Sequence, residues 1–196
     1  MELPFVILHS SSLDKSVAPK SIQEQQVIYK KFKRLRGEVI EAALDVENLL
    51  KVIILHFVVG KDYQRHELLR SLVFDAEFCS FMQKYKMLMK IIKKIPDLGG
   101  ILSPEDEKKL KKELERLIEE RNMFAHGEIS LDECDGSAEI TYYTSSKKTE
   151  KINDETGQAI MQRYTLVRET LSEINRFLRE HNVLQQSIDQ LKSQKD

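Results

Sequence analysis

Glu120-Arg121-Asn122-Met123-Phe124-Ala125-His126-Gly127 closes an apolar stripe that starts at Leu110. Leu110, Leu114, Leu117, Arg121 and Phe124 recur in steps of four and three, the spacing that lines one face of an α-helix. An arginine in that row must be paired or must face a cleft, because burying a lone guanidinium is costly. The guanidinium binds phosphate through a rigid fork of donors, and histidine is the side chain that titrates near neutral pH. A phosphate-holding group and a proton-transferring group at one helix end suit the cutting of RNA.

Working back from Gly127, Ser103-Pro104-Glu105-Asp106 predicts the start of this helix, with an N-cap serine, proline at the first helical position and acids in the first turn. A longer helical pattern covers residues 21–59 and closes at Gly60. Its apolar positions are Ile28, Phe32, Leu35, Val39, Ala43, Val46, Leu50, Ile53 and Phe57, and Gly37 marks a bend or a close helix contact. A second helical region over residues 66–95 carries a break near Val73-Phe74-Asp75 and ends at Pro96-Asp97-Leu98-Gly99-Gly100. Beyond the motif helix, Ala138-Glu139-Ile140-Thr141-Tyr142-Tyr143-Thr144 alternates and is rich in β-branched and aromatic residues. It predicts a strand, with residues 148–152 as partner and Ser145-Ser146-Lys147 as the turn. Asn153-Asp154 caps a final helix over residues 155–191, whose last two turns are polar and expected to fray.

There is no internal repeat. The expected fold is all-α, an up-and-down helical bundle with a small β-hairpin at residues 138–152, inserted before the last long helix. A polar leader occupies residues 1–20, one helical domain residues 21–191, and a polar tail residues 192–196.

With 196 residues, 41% hydrophobic and 32% charged, the chain is long enough for one domain with a proper core. A net charge of -1 means the molecule as a whole is not an electrostatic nucleic-acid binder, so RNA contact must come from local patches. Cys79 and Cys134 lie far apart and lack metal-ligand spacing with any histidine, which argues against a structural zinc site, and their number excludes a disulfide framework. No metal and no cofactor are expected. The apolar N-terminus is short and has no basic stretch ahead of it, unlike a signal peptide. The apolar run over residues 53–59 is far below the ~20 residues that span a membrane. A cytoplasmic protein is expected.

Arg-x4-His spacing is weak evidence by itself: ten arginines and five histidines in 196 residues yield about 0.3 such pairs by chance. The chain contains a second copy, Arg176-Phe177-Leu178-Arg179-Glu180-His181, which reads as a solvated stretch of the last helix. The first copy differs. Asn122 sits one turn before His126, where its amide can orient the imidazole. Arg121 occupies a stripe position, and His126 stands beside Gly127, where backbone can approach a substrate closely. A helix C-terminus also favours the protonated imidazole.

The run Arg121-Asn122-Met123-Phe124-Ala125-His126-Gly127 resembles the signature of HEPN domains (higher eukaryotes and prokaryotes nucleotide-binding), Arg-x4–6-His with asparagine favoured after the arginine. The order of elements is similar as well: a long first helix containing Ala43-Leu44-Asp45-Val46-Glu47-Asn48-Leu49-Leu50, a middle helix, the motif helix and a closing helix. The likeness spans about residues 23–184, although only the motif is specific. It implies a metal-independent endoribonuclease of a toxin–antitoxin or antiphage defence system, in which two protomers share one cleft. A homodimer, an RNA substrate or ligand, and an antitoxin protein as partner are its implied associations. The toxin branch controlled by adenylylation has a tyrosine two residues after the histidine. Here Glu128 stands there, so that control is not implied, and less-characterised bacterial families look closer.

By this resemblance His126 is the general acid or base and Arg121 holds the scissile phosphate. The plainer alternatives are a helix-end histidine bonded to a last-turn carbonyl, and a structural salt bridge from Arg121 to Glu47 or Asp45. Asn122 is the orienting residue, and Glu47 and Asp45 are candidate support. Lys30, Lys31, Lys33, Arg34 and Arg36 form a basic run that can steer RNA or simply face solvent. Tyr142 or Tyr143 can stack a base, with one of the two facing the interior. The alternative for the whole chain is a non-catalytic HEPN module that binds nucleotide, RNA or a partner protein. A third reading is a helical interaction protein that uses Arg121 and His126 structurally.

Overall fold

The computed structural model describes residues 7–9, 21–60, 62–74, 79–95, 98, 101–132, 137–143 and 146–181, with backbone alone at 7–9, 132 and 181. Five α-helices lie among them: α1 (Ile22–Val59), α2 (Tyr63–Leu69), α3 (Phe81–Ile92), α4 (Pro104–His126) and α5 (Asp154–His181). Strands β1 (Ile7–His9), β2 (Glu128–Asp132), β3 (Ala138–Tyr143) and β4 (Lys147–Ile152) complete the order of elements. The chain is mostly helical, with a small antiparallel sheet ahead of its last helix.

The expected helix ends are set by the residues that predict them. Gly60 follows α1 at φ 67°, the left-handed conformation that glycine adopts without a Cβ penalty. The Ser103 hydroxyl accepts from the Asp106 amide at 3.1 Å and starts α4, and Asn153 Oδ1 accepts from the Thr156 amide at 2.8 Å and starts α5. The break expected near Val73-Phe74 appears as a π-helical turn, Arg70–Phe74, followed by a new start at Ser80, whose side chain and that of Gln83 form a capping box. Asp75, Cys134, the tip of the hairpin at residues 144–145, Pro96 with residues 97, 99 and 100, the last turns that were expected to fray and the tail lie outside the described residues.

The chain divides into two compact units, and the divisions fall within α1, α4 and α5. The first comprises Met1–Ala43 and Glu119–Gln162. Its sheet runs in the order β1-β2-β3-β4. Strands β3 and β4 pair antiparallel from Ala138 opposite Ile152 to Tyr143 opposite Lys147, the expected hairpin. Strand β2 pairs antiparallel with β3, and β1 lies parallel to β2; neither has a sequence prediction behind it. Ile140, Tyr142 and Ile152 are buried with Phe32, Val39, Met123, Phe124 and Ile160. The rings of Phe32 and Phe124 stack at 6.0 Å, which fixes the first half of α1 to the last turns of α4.

The second unit comprises Leu44–Ile118 and Arg163–Asp196. Leu50, Ile53, Leu88, Leu114, Leu117, Leu171 and Ile174 are fully buried in it. Lys84, itself buried, donates to Glu47 Oε1 and to the Cys79 carbonyl, each at 2.6 Å. Two oxygens around the ammonium offset the cost of removing it from water.

Candidate functional site

The end of α4 is built from the first unit alone. The helix stops at His126 because Gly127 begins the turn into β2 with no intervening loop. Gly127 donates its amide to the Met123 carbonyl at 2.8 Å and is buried. A Cβ there would stand 2.3 Å from Ile140 Cγ2 and 2.5 Å from the Met123 carbonyl oxygen, so only glycine fits beneath β3. The close approach expected of this glycine is therefore made by Ile140.

One residue earlier, His126 is exposed and has no hydrogen-bond or ion-pair partner among the described residues. Arg121 is half-buried and donates from Nη1 to Asn122 Oδ1 at 3.1 Å. The Asn122 amide thus holds the arginine, and among the described residues no bond links it to the imidazole. Arg36, on the first half of α1, donates from Nη2 to the Ala125 carbonyl at 2.8 Å. A guanidinium on the last-turn carbonyls satisfies an orphan acceptor and offsets the negative end of the helix dipole. Arg36 thus reaches the turn of α4 that carries His126, while Arg121 lies five residues back on the same helix. The Arg36 contact joins residues 89 apart in sequence, and no local pattern carries it.

The remaining candidates are distributed differently. Lys31 pairs with Asp154 at 2.5 Å and Arg34 with Glu38 at 2.8 Å, whereas Lys30 and Lys33 are exposed and carry no partner among the described residues. A cavity of about 1050 Å³ opens beside Lys31 and Arg34, but its other charged lining residues are Lys151, Glu38, Asp154 and Glu155. Three cations against three carboxylates make a poor track for a phosphate backbone. Asp45 is exposed, and Glu47 has Lys84 as its partner in the second unit. Tyr142 is buried and donates to Glu150 Oε1 at 2.7 Å; Tyr143 is exposed. Burial, and after it the bond to Glu150, pushes the Tyr142 hydroxyl well above its ordinary range, with Glu119 and Glu120 adding to the effect.

A second group of polar residues had no sequence signal beyond the second Arg-x4-His copy. In the second unit, His56 Nδ1 lies 2.7 Å from Asn175 Oδ1, and His66 Nε2 lies 2.8 Å from the Gly60 carbonyl oxygen. The two imidazole centroids are 5.1 Å apart, and Tyr63 stands 5.8 Å from His66. Arg176, Arg179 and Glu180 are exposed, as a solvated face requires, yet they also line a cavity of about 370 Å³ with His56, Gly60 and Tyr63.

Among the described residues no three histidine, cysteine or carboxylate side chains stand together to hold a metal ion, and no helix is long and apolar enough to cross a membrane. No family model matches the chain, nor does any curated protein or solved structure.

Proposed function

We propose that this chain is a metal-independent endoribonuclease of HEPN type whose reacting group is His126. The observation that carries the reading is the state of that residue: an exposed imidazole without an internal partner, mounted on the last turn of a buried helix end. A histidine used only to satisfy a carbonyl would be bonded, whereas here Arg36 takes the Ala125 carbonyl. The imidazole is left to exchange protons with whatever approaches it.

In the proposed step, one imidazole takes the proton of a ribose 2′-hydroxyl as that oxygen attacks the adjacent phosphorus. The P–O5′ bond breaks, and a protonated imidazole gives its proton to the departing 5′-oxygen. The products are a 2′,3′-cyclic phosphate and a 5′-hydroxyl. Arg121, held by Asn122, binds the non-bridging phosphate oxygens as charge develops on them. Residues five apart on an α-helix point about 140° away from each other around its axis. A single helix end therefore serves one phosphate with both groups poorly. Two copies meeting at this end would supply two imidazoles and two guanidiniums to one cleft, the arrangement the homodimer reading requires. An up-and-down HEPN-like bundle, a cytoplasmic setting, a defence or toxin–antitoxin role and an antitoxin partner belong to the same proposal.

The non-catalytic alternative is favoured by one observation: Asn122 bonds to Arg121 and leaves His126 without an orienting partner. The test is cleavage of total RNA and tRNA in EDTA by wild type, His126→Ala and Arg121→Ala, with dimerisation followed by light scattering. The expected result is cleavage by wild type, a loss of at least ~100-fold in both variants, and cyclic phosphate ends. Cleavage unchanged in His126→Ala would overturn the nuclease reading. Specific RNA or nucleotide binding without turnover would establish the binding module.

A further inference from the structure

The cavity beside His56 shares no residue with the α4 end. Its walls come from α1 (His56), the turn at Gly60, α2 (Tyr63) and α5 (Arg176, Arg179, Glu180). We propose that it is a binding site for a small phosphate monoester, with Arg176 and Arg179 holding the phosphoryl oxygens and His56 as the proton-linked donor.

Among the described lining residues, two arginines against one glutamate leave one positive charge, and protonation of His56 raises this to two. Neither Arg176 nor Arg179 has an ion-pair or hydrogen-bond partner among the described residues. Other surface cations nearby are paired, Arg65 with Asp62 at 3.2 Å and Arg70 with Glu67 at 2.7 Å. Unpaired guanidiniums around a concavity are the recurring means of recognising phosphate, because their donors form a fork that two oxygens can accept together.

The hydrogen bonds also impose a tautomer on each ring. Asn175 Oδ1 accepts the Nδ1 proton of His56, and the Gly60 carbonyl accepts the Nε2 proton of His66. Each ring in its neutral form then has one nitrogen left as an acceptor. An anion is held by His56 Nε2 only when a proton is taken up there. Desolvation lowers the His56 pKa; the Asn175 bond opposes this, and His66 and Arg179 depress it further. The groups facing this ring are thus His66 and Tyr63 from α2, and Asn175, Arg179 and Glu180 from α5. A bound dianion reverses the balance and draws a proton onto the ring.

At about 370 Å³ the cavity lies near the lower bound of small-molecule sites, which suits a phosphorylated sugar or a mononucleotide and not a longer chain. Tyr63, 72% exposed at the rim, offers a face to a ring attached to the phosphate.

The test is titration of the full chain at pH 6 and pH 8 with sulfate, inorganic phosphate, ribose 5-phosphate and adenosine 5′-monophosphate. Binding is read calorimetrically and from the His56 ring resonances. Sulfate stays a dianion at both pH values, so its pH dependence reports the protein alone. The expected result is saturable binding about tenfold tighter at pH 6 than at pH 8 for sulfate, the equivalent of one pKa unit. Proton uptake should be seen from heats in buffers of different ionisation enthalpy. Binding should fall at least tenfold in Arg176→Gln/Arg179→Gln, a variant with surface changes whose melting temperature should match wild type. Equal affinity of inorganic phosphate and the two monoesters would identify the free ion as ligand, and a preference for adenosine 5′-monophosphate would identify a nucleotide. Undiminished binding in the double variant, a His56 resonance that does not move, or sulfate affinity independent of pH would each overturn the proposal. None of these results depends on whether RNA is cleaved at His126.

Discussion

His56 and His126 hold comparable places near the ends of their helices but have opposite surroundings. Each lies in the last turn of a helix that ends on glycine, α1 at Gly60 and α4 at Gly127. His56 is half-buried, bonded to Asn175 and faced by a second imidazole, while His126 is exposed and bonded to nothing among the described residues. The glycines differ in kind too. Gly60 is needed for its backbone angle, φ 67°, and Gly127 for the space that Ile140 and the Met123 carbonyl deny to a Cβ. A histidine in the last turn of a glycine-ended helix is thus a clamped ring in one place and an available ring in the other. The outcome is decided by what the rest of the fold brings against it.

The contrast is tested most severely at the two glycines. Gly127→Ala forces Ile140 and the helix end apart and should cost about 3 kcal/mol, as overpacking does. Gly60→Ala meets a strained backbone angle and should cost about 1 kcal/mol. Chemical denaturation of the two variants measures both. Equal losses would mean that the two helix ends are built alike after all.

Smaller effects are expected at the histidines. His56→Ala removes a hydrogen bond and should cost about 1 kcal/mol, whereas His126→Ala should change stability by less than about 0.5 kcal/mol, as at an unpartnered surface site. Thermal melts of the pair decide this. A large loss in His126→Ala would mark it as a structural residue and weaken the case for its chemistry.

The smallest effect is the dependence on pH. The folded pKa of His56 lies below the ordinary 6.5, chiefly through desolvation. Above pH 6.5 the ring is neutral folded and unfolded, and its contribution is fully present. As pH falls below 6.5 the unfolded chain takes up the proton first, and stability is lost until the folded value is passed. Melting temperature between pH 8 and pH 5 should therefore decline more in wild type than in His56→Gln. Parallel curves would remove the distinction between a clamped and an available ring.

Much of the fold was legible because its signals are local. Ser103, Asn153 and Gly60 announce helix ends by chemistry acting within four residues, and the alternation over Ala138–Tyr143 announces a strand by its own period. Strand β2 was missed because five residues directly after a helix leave no room for a turn signal or a convincing alternation. Strand β1, at three residues, is shorter still. At the candidate site the same division holds. The placement of Arg121, Asn122 and His126 on one helix end follows from their spacing. The Arg36 contact, the Lys84 partner of Glu47 and the His56–Asn175 bond join residues 89, 37 and 119 apart, and no window of sequence contains them.

The junction at Gly127 bears on time as well as on shape. Its amide proton is buried and hydrogen-bonded, so it should exchange with deuterium only when the helix end opens. The neighbouring imidazole of His126 is open to solvent. A backbone group closed to water and a side chain open to it thus sit on adjacent residues. A side chain mounted this way keeps its position because the backbone that carries it opens rarely.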